Sequence, residues 1–232
     1  LIVVIGAVVV SSLLRAFVGQ MFIIPSQSME NTLLVGDRVV VEKLTDFQRG
    51  DVVVFSDPGG WLEEDPADPA PWDKVFEFIG LPTKSTPGHL IKRVIGMPGD
   101  KVVCCDSKGR IMVNGYPLDE RSYIYTAPDG VQVNPSDIRF QVVVPKDRIF
   151  VMGDHRDLSA DSRCHLSDLS TTQGIGQAAF VPISLVVGPA FAIAAPFDRA
   201  GRLQRPLTFA GVPDPSRAAP PRAVIKPAGV SC

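Results

Sequence analysis

Cysteine and histidine are scarce in this chain, four and three among 232 residues, and the scarcity excludes several kinds of site. The three histidines, His89, His155 and His165, fall in no triad pattern, so histidine-based nucleophilic catalysis has no sequence support. Charge excess is also lacking. A net charge of -2 and a pI near 5.9 give no electrostatic footprint for a nucleic-acid partner. No Walker loop, no His-Glu zinc helix and no Ser-x-x-Lys sequence is present. Gly174-Ile175-Gly176-Gln177-Ala178-Ala179 loosely fits a dinucleotide fingerprint, but a Phe-Val run follows it where a helix is required. No cofactor is implied. Zinc held by Cys104, Cys105, Cys164 and His165 is the one metal reading, and adjacent ligands do not match zinc-site spacing. We therefore expect no metal. Adjacent cysteines bridge each other poorly, because a disulfide wants separated Cα atoms and convergent Cβ vectors. The expected bridge, if the protein is exported, runs from Cys104 or Cys105 to Cys164.

Proline and glycine, by contrast, are plentiful, at 21 and 20 residues, too many for a helical bundle and suited to a loop-rich β body. The first fourteen residues, Leu1 to Leu14, carry no charge. As a helix they would reach about 20 Å, short of a hydrocarbon core of about 30 Å, so the expectation is a membrane anchor whose start lies upstream of Leu1. The anchor is assigned to residues 1–20, the catalytic body to 21–198, and a Pro- and Ala-rich, loosely ordered tail to 199–232. A cleaved signal peptide is the alternative for the first segment, but no small-residue cleavage site precedes the polar body.

Short β-branched runs mark the body. Val39–Val41, Val52–Phe55, Leu90–Ile95, Lys101–Val103, Phe140–Val144 and Arg148–Met152 are predicted strands, with the last ones between Val181 and Ala195. Asn114-Gly115 after Ile111-Met112-Val113 is the strongest hairpin signal. Residues 57–89 interrupt this rhythm as a Pro- and Asp-rich insertion. Its tryptophans and phenylalanines either rest on a bilayer interface or staple a long loop to the core, and stapling is the better supported.

Two stretches carry chemistry. Ser26 and Ser28 lie where the apolar segment gives way to the body, and Lys92 sits among Leu90, Ile91, Val94 and Ile95 on a predicted strand. Serines in loops are most often caps or turn residues, and strand lysines usually snorkel to water. Together they have another use. A serine hydroxyl needs a base, and a lysine serves once desolvation pulls its pKa of about 10.4 toward neutrality. Arg93, on the opposite face of such a strand, would push the same way.

Four motifs in order, Pro25-Ser26-Gln27-Ser28-Met29 with Thr32-Leu33 and Gly36-Asp37, Gly50-Asp51-Val52-Val53-Val54-Phe55, Lys92 to Asp100, and Gly153-Asp154-His155-Arg156 with Ser159, Asp161, Ser162 and Arg163, resemble the boxes of bacterial type I signal peptidase. The matches run from about residue 16 to 190, and the 57–89 insertion with the cysteines resembles the actinobacterial branch. The resemblance implies a mostly β fold: a signal-peptidase-type antiparallel sheet or barrel behind an N-terminal transmembrane helix. It implies a single-pass plasma-membrane enzyme with its body on the extracytoplasmic side, whose partners are secretory precursors and the lipid bilayer. Ser28 would be the acylating nucleophile, Lys92 the general base, and Ser159 the group that hydrogen-bonds the Lys92 amine. The Ser28 N–H and the Ser26 hydroxyl would form the oxyanion hole, with Asp161, Arg163, Asp154, Arg156 and Arg93 bracing the site. Phe22, Ile24, Met29, Leu33, Leu90 and Ile91 would line shallow pockets for small residues at -1 and -3 of the cut. His155 departs from the asparagine common at its position.

Two rival classes fit parts of the pattern. A self-cleaving repressor of the LexA type also uses a Ser/Lys pair, but it needs a DNA-binding domain and no anchor. A non-catalytic membrane-tethered β module would need neither Ser28 nor Lys92.

Overall fold

The computed structural model describes residues 19–62, 88–170 and 174–226. The anchor assigned to 1–20 therefore falls almost wholly outside the described residues, as do Trp72–Ile79 of the insertion. Among the described residues, no helix is long and apolar enough to cross a membrane.

The β-branched runs pair into two antiparallel sheets. The larger contains β1 (Gln20–Ile23), β2 (Arg38–Val41), β3 (Val52–Ser56), β4 (His89–Gly96), β9 (Arg148–Met152), β12 (Val181–Pro182), β13 (Val186–Ala195) and β14 (Gly201–Arg202). Its order is β1-β2-β13-β3-β4-β9-β12, with β14 on β13. The smaller sheet runs β15-β8-β5-β6-β7, from β5 (Lys101–Cys104), β6 (Ile111–Val113), β7 (Tyr116–Pro117), β8 (Phe140–Val143) and β15 (Val224–Lys226). A two-stranded hairpin, β10 (Leu169–Ser170) with β11 (Gly174–Ile175), stands apart from both.

Local chemistry explains the turns. Asn114 (φ 52°) and Gly115 (φ 83°) form the tight link between β6 and β7, the positive-φ pair that the Asn-Gly signal predicts. β13 is the long strand of the body, and it bends by register shifts so that its first half pairs β3 and its second half β2. That bend closes one cluster of Phe22, Ile24, Met29, Leu33, Val39, Val41 and Ile91. A second cluster gathers around Phe55, Trp61, Val94 and Val151, and the smaller sheet supplies a third.

Two expectations need correction. Residues 199–226 are not a loose tail. β14 pairs β13, Phe209 is buried, and β15 adds to β8, because the segment's scattered apolar residues find the seam between the sheets. Cys104 and Cys105 bridge each other rather than Cys164. Cys164 is disulfide-bonded, to neither of these. At its described end the insertion is stapled as expected: Trp61 stacks on His165 at 4.5 Å and its indole N–H donates to the Ala178 carbonyl at 3.1 Å.

Candidate active site

The first functional segment is the turn from Ile24 to Asp37, which leaves β1 and returns as β2. Ile24 N–H donates to the Asp37 carbonyl and Gly36 N–H to the Ile24 carbonyl, both at 2.9 Å, so the turn is pinned at its base. Inside it, Gln27–Met29 form a single 3₁₀ turn with Met29 fully buried. Met29 anchors the turn in the core, and Ser28, one residue earlier, is held against the end of β9. The Ser28 carbonyl accepts the His155 N–H at 3.1 Å.

β4 supplies the partner. Strand alternation sends Lys92 to one face and Arg93 to the other. Lys92 is only 3 % exposed, and its Nζ lies 2.7 Å from Ser28 Oγ. Ser26 Oγ is 3.3 Å from Ser28 Oγ. Burial pulls the Lys92 pKa from its ordinary value down to about 8. Asp161 and Asp154 pull it back up, and Arg163 pushes it down again. The carboxylates do not win, because each is already paired. Asp161 accepts from Arg163 Nη2 at 2.8 Å, from the Gly153 N–H at 2.9 Å and from the Ser159 hydroxyl at 2.8 Å. Burial favours the protonated acid at Asp161, yet Arg163 and these donors hold its carboxyl below the usual range.

Asp154 is neutralised from the other side of β4. Arg93, fully buried, donates to Asp154 through Nε at 2.8 Å and Nη2 at 2.5 Å, and through Nη1 to the Gly50 carbonyl at 2.6 Å. Thr32 donates its hydroxyl proton to Asp154 Oδ2 at 2.5 Å, which ties the Ser28 turn to the same pair. Arg93 also lies over the Tyr123 ring at 4.4 Å, and Arg156 pairs with buried Glu120 at 2.5 Å. Two buried ion pairs thus flank the lysine without giving it a free counter-ion.

Two details differ from expectation. Ser159 donates to Asp161, and its hydroxyl makes no bond to the Lys92 amine, whose hydrogen-bond partner is Ser28 Oγ. The cation that lowers the Lys92 pKa is Arg163, not its neighbour Arg93, whose charge Asp154 absorbs. Among the apolar residues, Phe22, Ile24, Met29, Leu33 and Ile91 share one cluster beside the turn. Leu90 instead packs against the Phe55–Trp61 cluster on the Lys92 side of β4. Glu120 and Gly153 are structural partners that sequence reasoning gave no role. Glu120 lies in a turn-rich stretch without a motif. Gly153 stands in a motif, but its purpose is spatial: a Cβ there would sit 2.2 Å from Ser159 Oγ and 2.5 Å from the Ser28 carbonyl.

Comparison with known proteins follows the same residues. The family model described as signal peptidase, peptidase S26, matches residues 1–195. A signal peptidase I of Mycobacterium tuberculosis (strain ATCC 25618 / H37Rv) is 36% identical over 216 residues, covering 84% of this chain and 71% of that protein. A probable signal peptidase I-2 of Synechocystis is 35% identical over 201 residues, with 85% and 72% covered. A signal peptidase I of Leptolyngbya laminosa is 33% identical over 210 residues, with 88% and 83% covered.

Proposed function

As a member of the signal peptidase family, peptidase S26, this chain is a serine peptidase that removes signal peptides from exported precursors, and we propose that Ser28 and Lys92 make the cut. The observation that carries this reading is the 2.7 Å contact between Ser28 Oγ and a buried amine whose pKa is lowered to about 8. An uncharged Lys92 takes the Ser28 proton as Oγ attacks the scissile carbonyl carbon. The resulting oxyanion would be met by the Ser28 N–H and by the Ser26 hydroxyl, which lies 3.3 Å from Ser28 Oγ. The Lys92 ammonium then gives its proton to the leaving amine, leaving an acyl ester on Ser28. A water molecule, losing its proton to Lys92, attacks that ester and releases the signal peptide.

The remaining residues act by position. Ser159, Asp161 and Arg163 keep the floor under Lys92 polar yet neutral overall, while Arg93 and Asp154 fix β4 against the Ser28 turn through Thr32, and Arg156 ties Gly153 to Glu120. Phe22, Ile24, Met29, Leu33 and Ile91 form a close-packed apolar cluster beside the Ser28 turn and Leu90 lies on the Lys92 face of β4, and this apolar surround favours small residues at -1 and -3. An extended precursor would add along the strands near Ile24 and Ile91.

The body is proposed to lie on the extracytoplasmic side of the plasma membrane behind a single anchor in residues 1–20, supported by the charge-free run Leu1–Leu14. Protease added to intact cells should then degrade the body. Protection of the body until the cells are broken would reverse the topology.

Cleavage of a secretory precursor by Ser28→Ala and Lys92→Ala variants tests the dyad. Both should fall by at least about a thousandfold, in line with loss of a catalytic nucleophile or base. Unchanged processing by either variant would remove that residue from the mechanism. Lys92→Arg keeps the charge and cannot deprotonate near neutrality, so it should be as inactive as the alanine variant.

A further inference from the structure

The turn that carries Ser28 is held from behind by a residue outside the four motifs. Asp37 closes that turn, and its side chain is buried. One carboxylate oxygen accepts the Leu34 N–H at 2.9 Å, and the Asp37 carbonyl accepts the Ile24 N–H at 2.9 Å. Arg199 supplies the opposite charge. Its Nε donates to Asp37 Oδ1 at 3.0 Å and its Nη2 to Oδ2 at 2.9 Å, a two-pronged contact. Nη2 also reaches the Thr32 carbonyl at 3.5 Å. Among the described residues, Arg199 is the cation paired with Asp37.

Arg199 comes from another part of the chain. It ends the 3₁₀ turn Phe197–Arg199 that follows β13, and its N–H donates to the Pro196 carbonyl at 3.1 Å. The family match ends at residue 195, so neither it nor the motifs include this arginine. Its reach matters because Thr32 is shared. The Thr32 hydroxyl donates to Asp154, the partner of Arg93. The Thr32 and Leu33 N–H groups donate to the Met29 carbonyl at 3.1 and 2.8 Å, and Met29 follows Ser28 directly. One guanidinium thus ties the closing half of the turn to the half that bears the hydroxyl. Without it, Asp37 would keep a buried charge with no partner, and water would have to enter the base of the turn to solvate it.

We propose that Arg199 is a positioning residue for peptide cleavage: its guanidinium, forked onto Asp37, holds the Ile24–Asp37 turn so that Ser28 Oγ stays within reach of Lys92. This rests on the reading of Ser28 as the nucleophile. The segment beyond the family match is then part of the working site. The hydrogen bonds of the Arg199 side chain go to Asp37 and Thr32, neither of which is proposed to meet the precursor, so its loss falls on kcat. The side chain is 30 % exposed, enough for a small cation from solution to take the place of its head group.

The test measures cleavage of one secretory precursor by the full chain and by Arg199→Ala, with and without guanidinium chloride at about 50 mM, far below denaturing concentrations. Arg199→Ala should lose at least about tenfold in kcat with KM changed by less than about twofold, since small displacement of reacting groups is costly. Guanidinium should restore kcat by at least about threefold, levelling off with concentration as binding to a vacated site requires. Sodium chloride at the same concentration should restore nothing. In an Asp37→Asn background, removing Arg199 should cost nothing more, and guanidinium should have no effect. Arg199→Gln, which leaves less of a cavity, should show the same kcat loss should the alanine variant fold poorly. Retained kcat, a loss carried by KM, a loss that guanidinium does not reverse, or losses that add with Asp37→Asn each overturn the proposal. Ser28→Ala, run alongside, separates the two claims. Activity in that variant would defeat the nucleophile assignment, whereas an inactive Ser28→Ala beside a failed rescue defeats the role of Arg199 alone.

Discussion

At the scale of single residues, Lys92 is the group on which the proposed chemistry turns. Among the described residues its amine has been taken out of water without a counter-ion of its own, with Ser28 Oγ as its hydrogen-bond partner. That arrangement has a thermodynamic sign. Between about pH 8 and its ordinary value of 10.5 the unfolded lysine is charged and the folded one is not, so stability rises with pH across that window. Below about pH 8 both states carry the proton, and the folded state bears the full cost of burying it, on the order of 3 kcal/mol. Replacing Lys92 with methionine, of similar length, should therefore abolish cleavage yet raise stability at pH 7 by about 1–3 kcal/mol in denaturant unfolding. A variant that is less stable at pH 7 would show that the amine is not stored at a cost. The lysine in its apolar run was legible from sequence, since strand alternation and hydrophobic neighbours suffice. The Arg163–Asp161 pair that sets its field was legible only as a motif. Which cation faces the amine is decided by a loop that returns beneath β4.

Between elements, the site depends on how closely the Ile24–Asp37 turn approaches the loop after β9. Gly153 makes that approach feasible, and a methyl group there would meet Ser159 and the Ser28 carbonyl well inside contact distance. Gly153→Ala should cut kcat by at least about a hundredfold, since small misplacement of reacting groups costs that much. Circular dichroism should show the β body retained. Near-normal kcat in that variant would mean that the two segments can part without consequence. The strands themselves followed from β-branched runs, and the β6–β7 link followed from Asn-Gly. Pairing partners did not follow, because β13 joins β2 and β3 by bending at register shifts that leave no mark in composition. The vicinal Cys104–Cys105 bridge was not legible either, because nothing in the sequence marks which cysteine pairs with which.

For the whole molecule, the segment beyond β13 is a strap joining the two sheets. Arg199 reaches back to Asp37 in the Ser28 turn at 2.9 Å, Arg205 pairs with Asp51 at 2.8 Å, and Phe209 packs beside Tyr123 with ring centroids 6.0 Å apart. β15 then closes on β8. Proline and alanine content hid this role, since the strap's contacts are single residues in an extended chain rather than a periodic face. Phe209→Ala should destabilise the protein by about 3–5 kcal/mol, read as a shift of the denaturation midpoint with an unchanged slope. A loss below about 1 kcal/mol would return the segment to the status of a loose tail.

The pH dependence of kcat/KM for precursor cleavage bears most directly on the claim that an uncharged, buried lysine serves as the base. An acid limb of unit slope with an apparent pKa of about 8, retained in His155→Asn, is the predicted result. A limb that disappears with His155, or activity that stays flat down to pH 6, would contradict it.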